Sequence, residues 1–272
     1  MGVITDPSKL IFKNTTNHRG RKTAVSPKNS SLEELHYGRI LLGAENNSTT
    51  FETGKCEVGL ICVSGSCVVQ VDSQRIELGT YDGLYVPRGS LVEVATCESV
   101  DLCEFSAEVS GDYPLQVVRF ADVEDDPALH FFAGDATSRR ELFVVIGRNV
   151  QAGKIVGGFT RSAPGNWTSW PPHEHAAMLE EMYVFFDMPA PAFGIQFVYT
   201  DPEAPQFIGA VRDGDAVIMP EGYHPNVAIP GHSINFLWLM AAHREIEDRK
   251  FGVVNVQPAF SAGGSGLEAG TK

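Results

Sequence analysis

Short apolar runs, rich in β-branched and aromatic residues and cut off by Gly, Pro, Asn or Ser, dominate the chain from Tyr37 onward. Between Tyr37 and Val109 they fall at 39–44, 57–63, 66–73, 75–79, 83–89 and 91–95. Such regular spacing predicts an all-β sandwich or barrel. Residues 110–140 are acidic and irregular and read as a connection between domains. The runs resume at Glu141, at 141–147, 154–161, 182–186, 193–200, 216–220 and 233–241, and end near Gln257. No helical period is sustained anywhere; only 241–250 suggests a turn. The polar residues 1–30 predict an arm or a single edge strand, and the Gly/Ser-rich 261–272 a disordered tail.

An internal repeat organises these runs. Asp82-Gly-Leu-Tyr-Val-Pro-Arg-Gly89 matches Asp215-Ala-Val-Ile-Met-Pro-Glu-Gly222 at a shift of 133 residues. Each reads as an acidic turn, an apolar strand, and a Pro-x-Gly reversal. The shift is about half the chain, which predicts two copies of one β-domain, at 31–130 and 131–260.

The copies differ in chemistry. His173 and His175, spaced i, i+2, project from one face of a strand that Pro171 and Pro172 bias toward an extended path. Each imidazole can offer a neutral nitrogen to a shared metal ion. A third histidine, His224, follows the second Pro-x-Gly, where the first copy carries Leu91. The first copy also has no His-x-His, so the pattern confines a metal site to the second. Glu180 and Glu181 head the next strand on opposite faces, Glu181 with Tyr183 and Phe185, Glu180 with Met182 and Val184. Glu174, between two inward histidines, is expected to point out. The remaining histidines lack a partner at ligand spacing, and Trp167 and Trp170 read as barrel core.

Bulk properties narrow the partners. Lys and Arg number 21 against 34 Asp and Glu, for a net charge of −13 without a basic block, which argues against nucleic acid. The absence of a long apolar run argues against a membrane span, and the polar N-terminus predicts a cytoplasmic protein. Five cysteines, all at or before Cys103, read as reduced thiols; Cys62 and Cys67 would face opposite sides of one continuous strand.

Gly165-(x7)-His173-x-His175 and Gly214-(x5)-Pro220-x-Gly222-x-His224 resemble the two cupin motifs. Pro171-Pro-His-Glu-His175, Leu179-Glu-Glu-Met-Tyr183, Gln196-Phe-Val-Tyr-Thr-Asp201 and Pro220-Glu-Gly-Tyr-His-Pro225 are similar to one branch. It comprises the 5-deoxyglucuronate isomerases of inositol breakdown and the related 4-deoxy-5-ketouronate isomerases of pectin breakdown. The resemblance covers roughly residues 160–240. It implies a bicupin, two double-stranded β-helix (jelly-roll) domains, only the second binding metal.

By the same resemblance the ligand glutamate sits two residues before the aromatic, which selects Glu181 over Glu180 to join His173, His175 and His224. One divalent ion is implied, zinc first, with manganese, iron or nickel as alternatives. The implied reaction is aldose–ketose isomerisation of a deoxy sugar acid, 5-deoxyglucuronate to 2-deoxy-5-ketogluconate, by a homo-oligomer. Tyr183 lies on the Glu181 face as a candidate base, Gln196 as a hydrogen-bond donor to substrate, and Arg161 or Arg212 as the carboxylate anchor. An iron-dependent dioxygenase and a non-catalytic sugar-binding bicupin are the rival readings.

Overall fold

The computed structural model describes residues 4, 6–264 and 266, and it is built almost wholly of β-strands. They form two units, each a larger sheet packed on a four-stranded one. In the first unit the larger sheet runs in the spatial order Gln116–Val118, Gly83–Val86, Cys56–Gly65, Val100–Glu108, His36–Leu42, Gly20–Val25. In the second it runs Ile11–Phe12, Ala216–Met219, Leu179–Phe185, Asn235–Ala242, Ile155–Ser162, Arg140–Ile146, His130–Ala133. The smaller sheets also correspond: Ser48–Glu52, Leu91–Ala95, Cys67–Val71, Gln74–Leu78 against Trp167–Thr168, Asn226–Ala228, Gly194–Val198, Phe207–Val211. All but His130–Ala133 of the second larger sheet repeat the order of the first, which is the all-β duplication that the sequence pattern predicts and the jelly-roll architecture that the resemblance implies.

Several local expectations are corrected. Residues 1–30 are not one edge strand. Ile11–Phe12 joins the second unit beside Ala216–Val217, whereas Gly20–Val25 joins the first beside Tyr37–Leu41. The place that Ile11–Phe12 takes in the second unit is filled in the first by Gln116–Val118. The 110–140 connection is therefore partly ordered, with that strand, a six-residue helix at Phe120–Asp125 and a strand at His130–Ala133. The helix buries only Val123, too little to print a period on the sequence. Cys62 and Cys67 lie on separate strands, Cys56–Gly65 and Cys67–Val71, and both point into one core. All five cysteines are free thiols. Of the expected tail, 261–263 complete a 3-10 turn that begins at Pro258, while 265 and 267–272 lie outside the described residues.

Two buried carboxylates lock the units together by a reciprocal arrangement. Glu57, on Cys56–Gly65, accepts the backbone N–H groups of Gly153 (2.8 Å), Lys154 (2.6 Å) and Ile155 (2.8 Å) in the second unit. Glu180, on Leu179–Phe185, accepts those of Glu33 (2.8 Å), Glu34 (2.7 Å) and Leu35 before the first unit's His36–Leu42. Val58 pairs with Val86, and Glu181 with Met219, so the strand registers make Glu57 and Glu180 equivalent. Between the clamps, Lys154 Nζ meets Glu34 Oε2 at 2.5 Å, themselves a corresponding pair. Truncating Glu57 leaves three backbone donors without their acceptor. Glu57→Ala is expected to cost roughly 3–5 kcal/mol, seen as a lower urea midpoint. A midpoint within error of the parent protein's would show that the clamp is dispensable.

Candidate metal centre

The short strand His173–Glu174 pairs with Asn255–Val256 and sets the alternation. Glu174 turns outward, its oxygens accepting from Asn255 Nδ2 and Ala176 N. His173 and His175 turn inward and are buried. His224 follows the Gly222 turn, whose φ of +92° favours glycine, and is buried as well. Its counterpart Leu91 is 51% exposed, so the two copies use this position for opposite purposes.

Each ring is oriented by a backbone carbonyl. Nδ1 of His173 lies 3.0 Å from Pro171 O, that of His175 3.0 Å from Leu179 O, and that of His224 2.9 Å from Gly222 O. A carbonyl can only accept, so each Nδ1 carries the proton and each Nε2 is left as a lone pair when the ring is neutral. The Nε2 atoms of His175 and His224 both stand 3.0 Å from Glu181 Oε2. For His224 that contact is close but misaligned, and its Nε2 is buried without a hydrogen-bond partner. Lone pairs converging on a carboxylate repel one another unless a proton or a cation lies between them. This donor set therefore fits a divalent ion.

His175, Glu181 and His224 bring their ligand atoms within 4.8 Å of one another. His173 adjoins this triad, with its ring 5.0 Å from that of His224 and 6.4 Å from that of His175, and falls outside the tight cluster. Burial, then the neighbouring imidazoles of His224 and His175, hold the pKa of His173 down at about 3, so it is neutral at physiological pH. Burial alone would push Glu181 up, but His175 and His224 outweigh it when their Nε2 atoms carry a proton, and then hold the carboxyl at about 2. For His175 burial works against the charged form, yet the Glu181 contact leaves its pKa raised.

The other expected site residues are placed as follows. Tyr183 is buried beside the triad, its ring 5.7 Å from that of His224 and its Oη 2.6 Å from Ser169 Oγ. Burial, reinforced by Glu181, raises its pKa well above the ordinary phenol value, so it is a neutral hydroxyl and not a ready base. Gln196 does not face the cavity. Its Nε2 donates to Phe197 O (2.8 Å) and His224 O (2.9 Å), and its Oε1 accepts from Asn226 Nδ2 (3.0 Å), so it buttresses the His224 turn. Arg161 bonds the Tyr81 hydroxyl and lies over the Tyr81 ring, and Arg212 lies over Phe193. Neither lines the cavity beside the triad; Arg140 does, with Ser169. Leu142, Phe236 and Trp238 supply apolar wall, and the segment Phe251 to Val254 closes one side. Trp167 and Trp170 stay half-buried against Phe197 and Phe260, outside the core. Arg140 and Ser169 gave no motif in the sequence; alternation along Arg140–Ile146 puts Arg140 on the Leu142 face, the one available hint.

The buttressing role is separable from a substrate contact. Gln196→Leu is expected to lower unfolding stability by about 1–3 kcal/mol, because it leaves the His224 carbonyl and Asn226 amide unpaired. Unchanged stability with a raised KM would assign Gln196 to the substrate instead.

Comparison with known proteins bears on the family and the fold. The sequence model of the KduI/IolB family matches residues 10–255. A protein of Geobacillus kaustophilus named 5-deoxy-glucuronate isomerase is 26% identical over 252 residues, 86% of this chain and 89% of that one. A 4-deoxy-L-threo-5-hexosulose-uronate ketol-isomerase of Caldicellulosiruptor bescii is 28% identical over 196 residues, 70% of this chain and 68% of that one. The crystal structure of an IolB-like protein of Salmonella typhimurium LT2 superposes with a TM-score of 0.82, covering 93% of this chain and 98% of that one at 23% identity. An oxalate decarboxylase variant of Bacillus subtilis shares the fold more distantly, with a TM-score of 0.62, 13% identity, and 85% and 76% coverage. A match that spans nearly the whole duplicated unit, on a chain whose two halves repeat one strand order, makes this protein a member of the KduI/IolB family.

Proposed function

We propose that this protein is a cytoplasmic, homo-oligomeric aldose–ketose isomerase that converts 5-deoxyglucuronate to 2-deoxy-5-ketogluconate in inositol breakdown. The observation that carries the reading is the convergence of His175, Glu181 and His224 on one buried point, in a cavity that also holds a guanidinium. His175, His224 and Glu181 would hold a divalent ion, with His173 as the fourth ligand and zinc the first choice for so mixed a donor set. Bound there, the ion supplies Lewis acidity toward the oxygens of the reacting carbonyl and its neighbouring hydroxyl.

The protein's own side chains account for the rest. Arg140 is buried and donates to the carbonyl oxygens of Ser138 and Gly266, and its charge suits the substrate carboxylate. Leu142, Phe236 and Trp238 exclude water and strengthen every polar contact in the cavity. Tyr183, held neutral, offers a hydrogen bond to a substrate oxygen. The names borne by the relatives support a sugar-acid substrate.

The test is direct. Protein incubated without oxygen with 5-deoxyglucuronate is expected to convert the aldose signals to those of the ketose in proton NMR spectra. Conversion should stop after dialysis against a chelator and return with an added divalent ion. Activity that survives complete metal removal contradicts the reading. Faster turnover of 4-deoxy-L-threo-5-hexosulose uronate points to the pectin branch, oxygen consumption to a dioxygenase, and saturable binding without conversion to a sugar-binding protein.

A further inference from the structure

Two hydroxyls on the cavity wall support a step that rests on the isomerase reading and goes further into its chemistry. Ser169 Oγ and Tyr183 Oη are 2.6 Å apart, and the two residues are only 7% and 3% exposed. Both line the cavity with His173, His175 and Glu181. Among the described residues, each hydroxyl has the other as its hydrogen-bond partner. The pair contains two hydroxyl hydrogens and its internal bond uses one. The other hydrogen, and the lone pairs of the oxygen that is not accepting, remain available to a bound molecule. Either oxygen can be the internal donor, so the pair has two possible directions.

The backbone at this point is unusual. Ser169 has a φ of +49°, in the left-handed region that favours glycine. Its neighbour Thr168 is tied by its hydroxyl to Asn226, which fixes the turn that presents Ser169. Glycine would relax this conformation but would remove the hydroxyl. A strained non-glycine residue at the wall of a reaction cavity points to use of its side chain.

Aldose–ketose conversion moves two hydrogens. One passes between adjacent carbons, and one passes from the hydroxyl oxygen to the former carbonyl oxygen. We propose that Ser169 and Tyr183 form the relay for the second. One oxygen of the pair takes the proton from the substrate hydroxyl and passes its own along the internal bond to the other, which releases its hydrogen to the substrate carbonyl oxygen. At the substrate one O–H bond breaks and one forms. The pair gains one proton and loses one, stays neutral, and ends with its internal hydrogen bond reversed. The carbon-bound hydrogen moves separately, and no oxidant or reductant is required.

The experiment compares wild type, Ser169→Ala, Ser169→Gly, Tyr183→Phe and Ser169→Ala/Tyr183→Phe for kcat, KM, metal content and melting temperature with 5-deoxyglucuronate. Both Ser169 variants are expected to lose roughly 10²-fold in kcat, with KM and metal content nearly unchanged. Ser169→Gly should melt above Ser169→Ala, because both lose the hydrogen bond to Tyr183 but only glycine relieves the backbone strain. The double variant should be no slower than the slower single variant, as residues that act as a unit behave. Unchanged kcat in Ser169→Gly, a kcat loss that tracks a fall in melting temperature, or multiplicative losses in the double variant overturn the relay while leaving the isomerase reading intact. An inactive wild type overturns that reading, and the relay with it.

Discussion

Adjacent glutamates that point to opposite sides of one strand set the whole arrangement of this molecule. Side chains alternate along Leu179–Phe185, so Glu180 and Glu181 cannot share an environment. Glu180 leaves the barrel and collects backbone donors from the other unit, while Glu181 enters it and meets two imidazoles. A buried carboxylate is costly unless several donors or a cation compensate it. Three backbone donors compensate Glu180, and the imidazoles around Glu181 leave that part to a proton or a cation. The strand that holds the units in register thus also positions the candidate centre, and a one-residue slip would exchange the two roles.

Duplication makes the division visible. Glu57 repeats the interface role of Glu180, so the contact between units is symmetric where it bears load. The interiors are not symmetric. The position of Glu181 is Val58 in the first unit, and that of His224 is Leu91. By strand register, Arg21 and Glu104 correspond to Leu142 and Trp238, and they form a two-pronged ion pair at 2.7 Å over the strand His36–Leu42 of the first unit's larger sheet. One barrel packs an apolar core beside its own salt bridge, and the other keeps apolar walls around converging lone pairs. That contrast explains how one fold serves as scaffold and as reaction vessel in the same chain.

The sequence made the strands, the repeat and the burial of the His-x-His pair legible, because alternation and Pro-x-Gly turns are local signals. The equivalence of Glu57-Val58 with Glu180-Glu181 rests on strand registers and was not readable from the sequence. What it did not expose depends on distant contacts. The exchange of Ile11–Phe12 and Gln116–Val118 between equivalent edges leaves only two or three residues of pattern at each place. Gln196 reads as a substrate donor until the His224 and Phe197 carbonyls are seen to consume it. Arg140 is indistinguishable in sequence from Arg161 or Arg212, since only the packing of neighbouring strands decides which one faces the cavity. Ser169 belongs to no motif, and its conformation is set by Thr168 and Asn226, the latter from another strand.

Metal content of two single-atom-class variants, measured side by side by elemental analysis after purification in the presence of zinc, bears most directly on this division of roles. Glu181→Gln is expected to fold with near wild-type thermal stability and to hold little metal. Glu180→Gln is expected to keep its full metal complement and to unfold more readily. A Glu181→Gln protein that retains a full equivalent of metal, or a Glu180→Gln protein that loses it while still folded, would contradict the assignment.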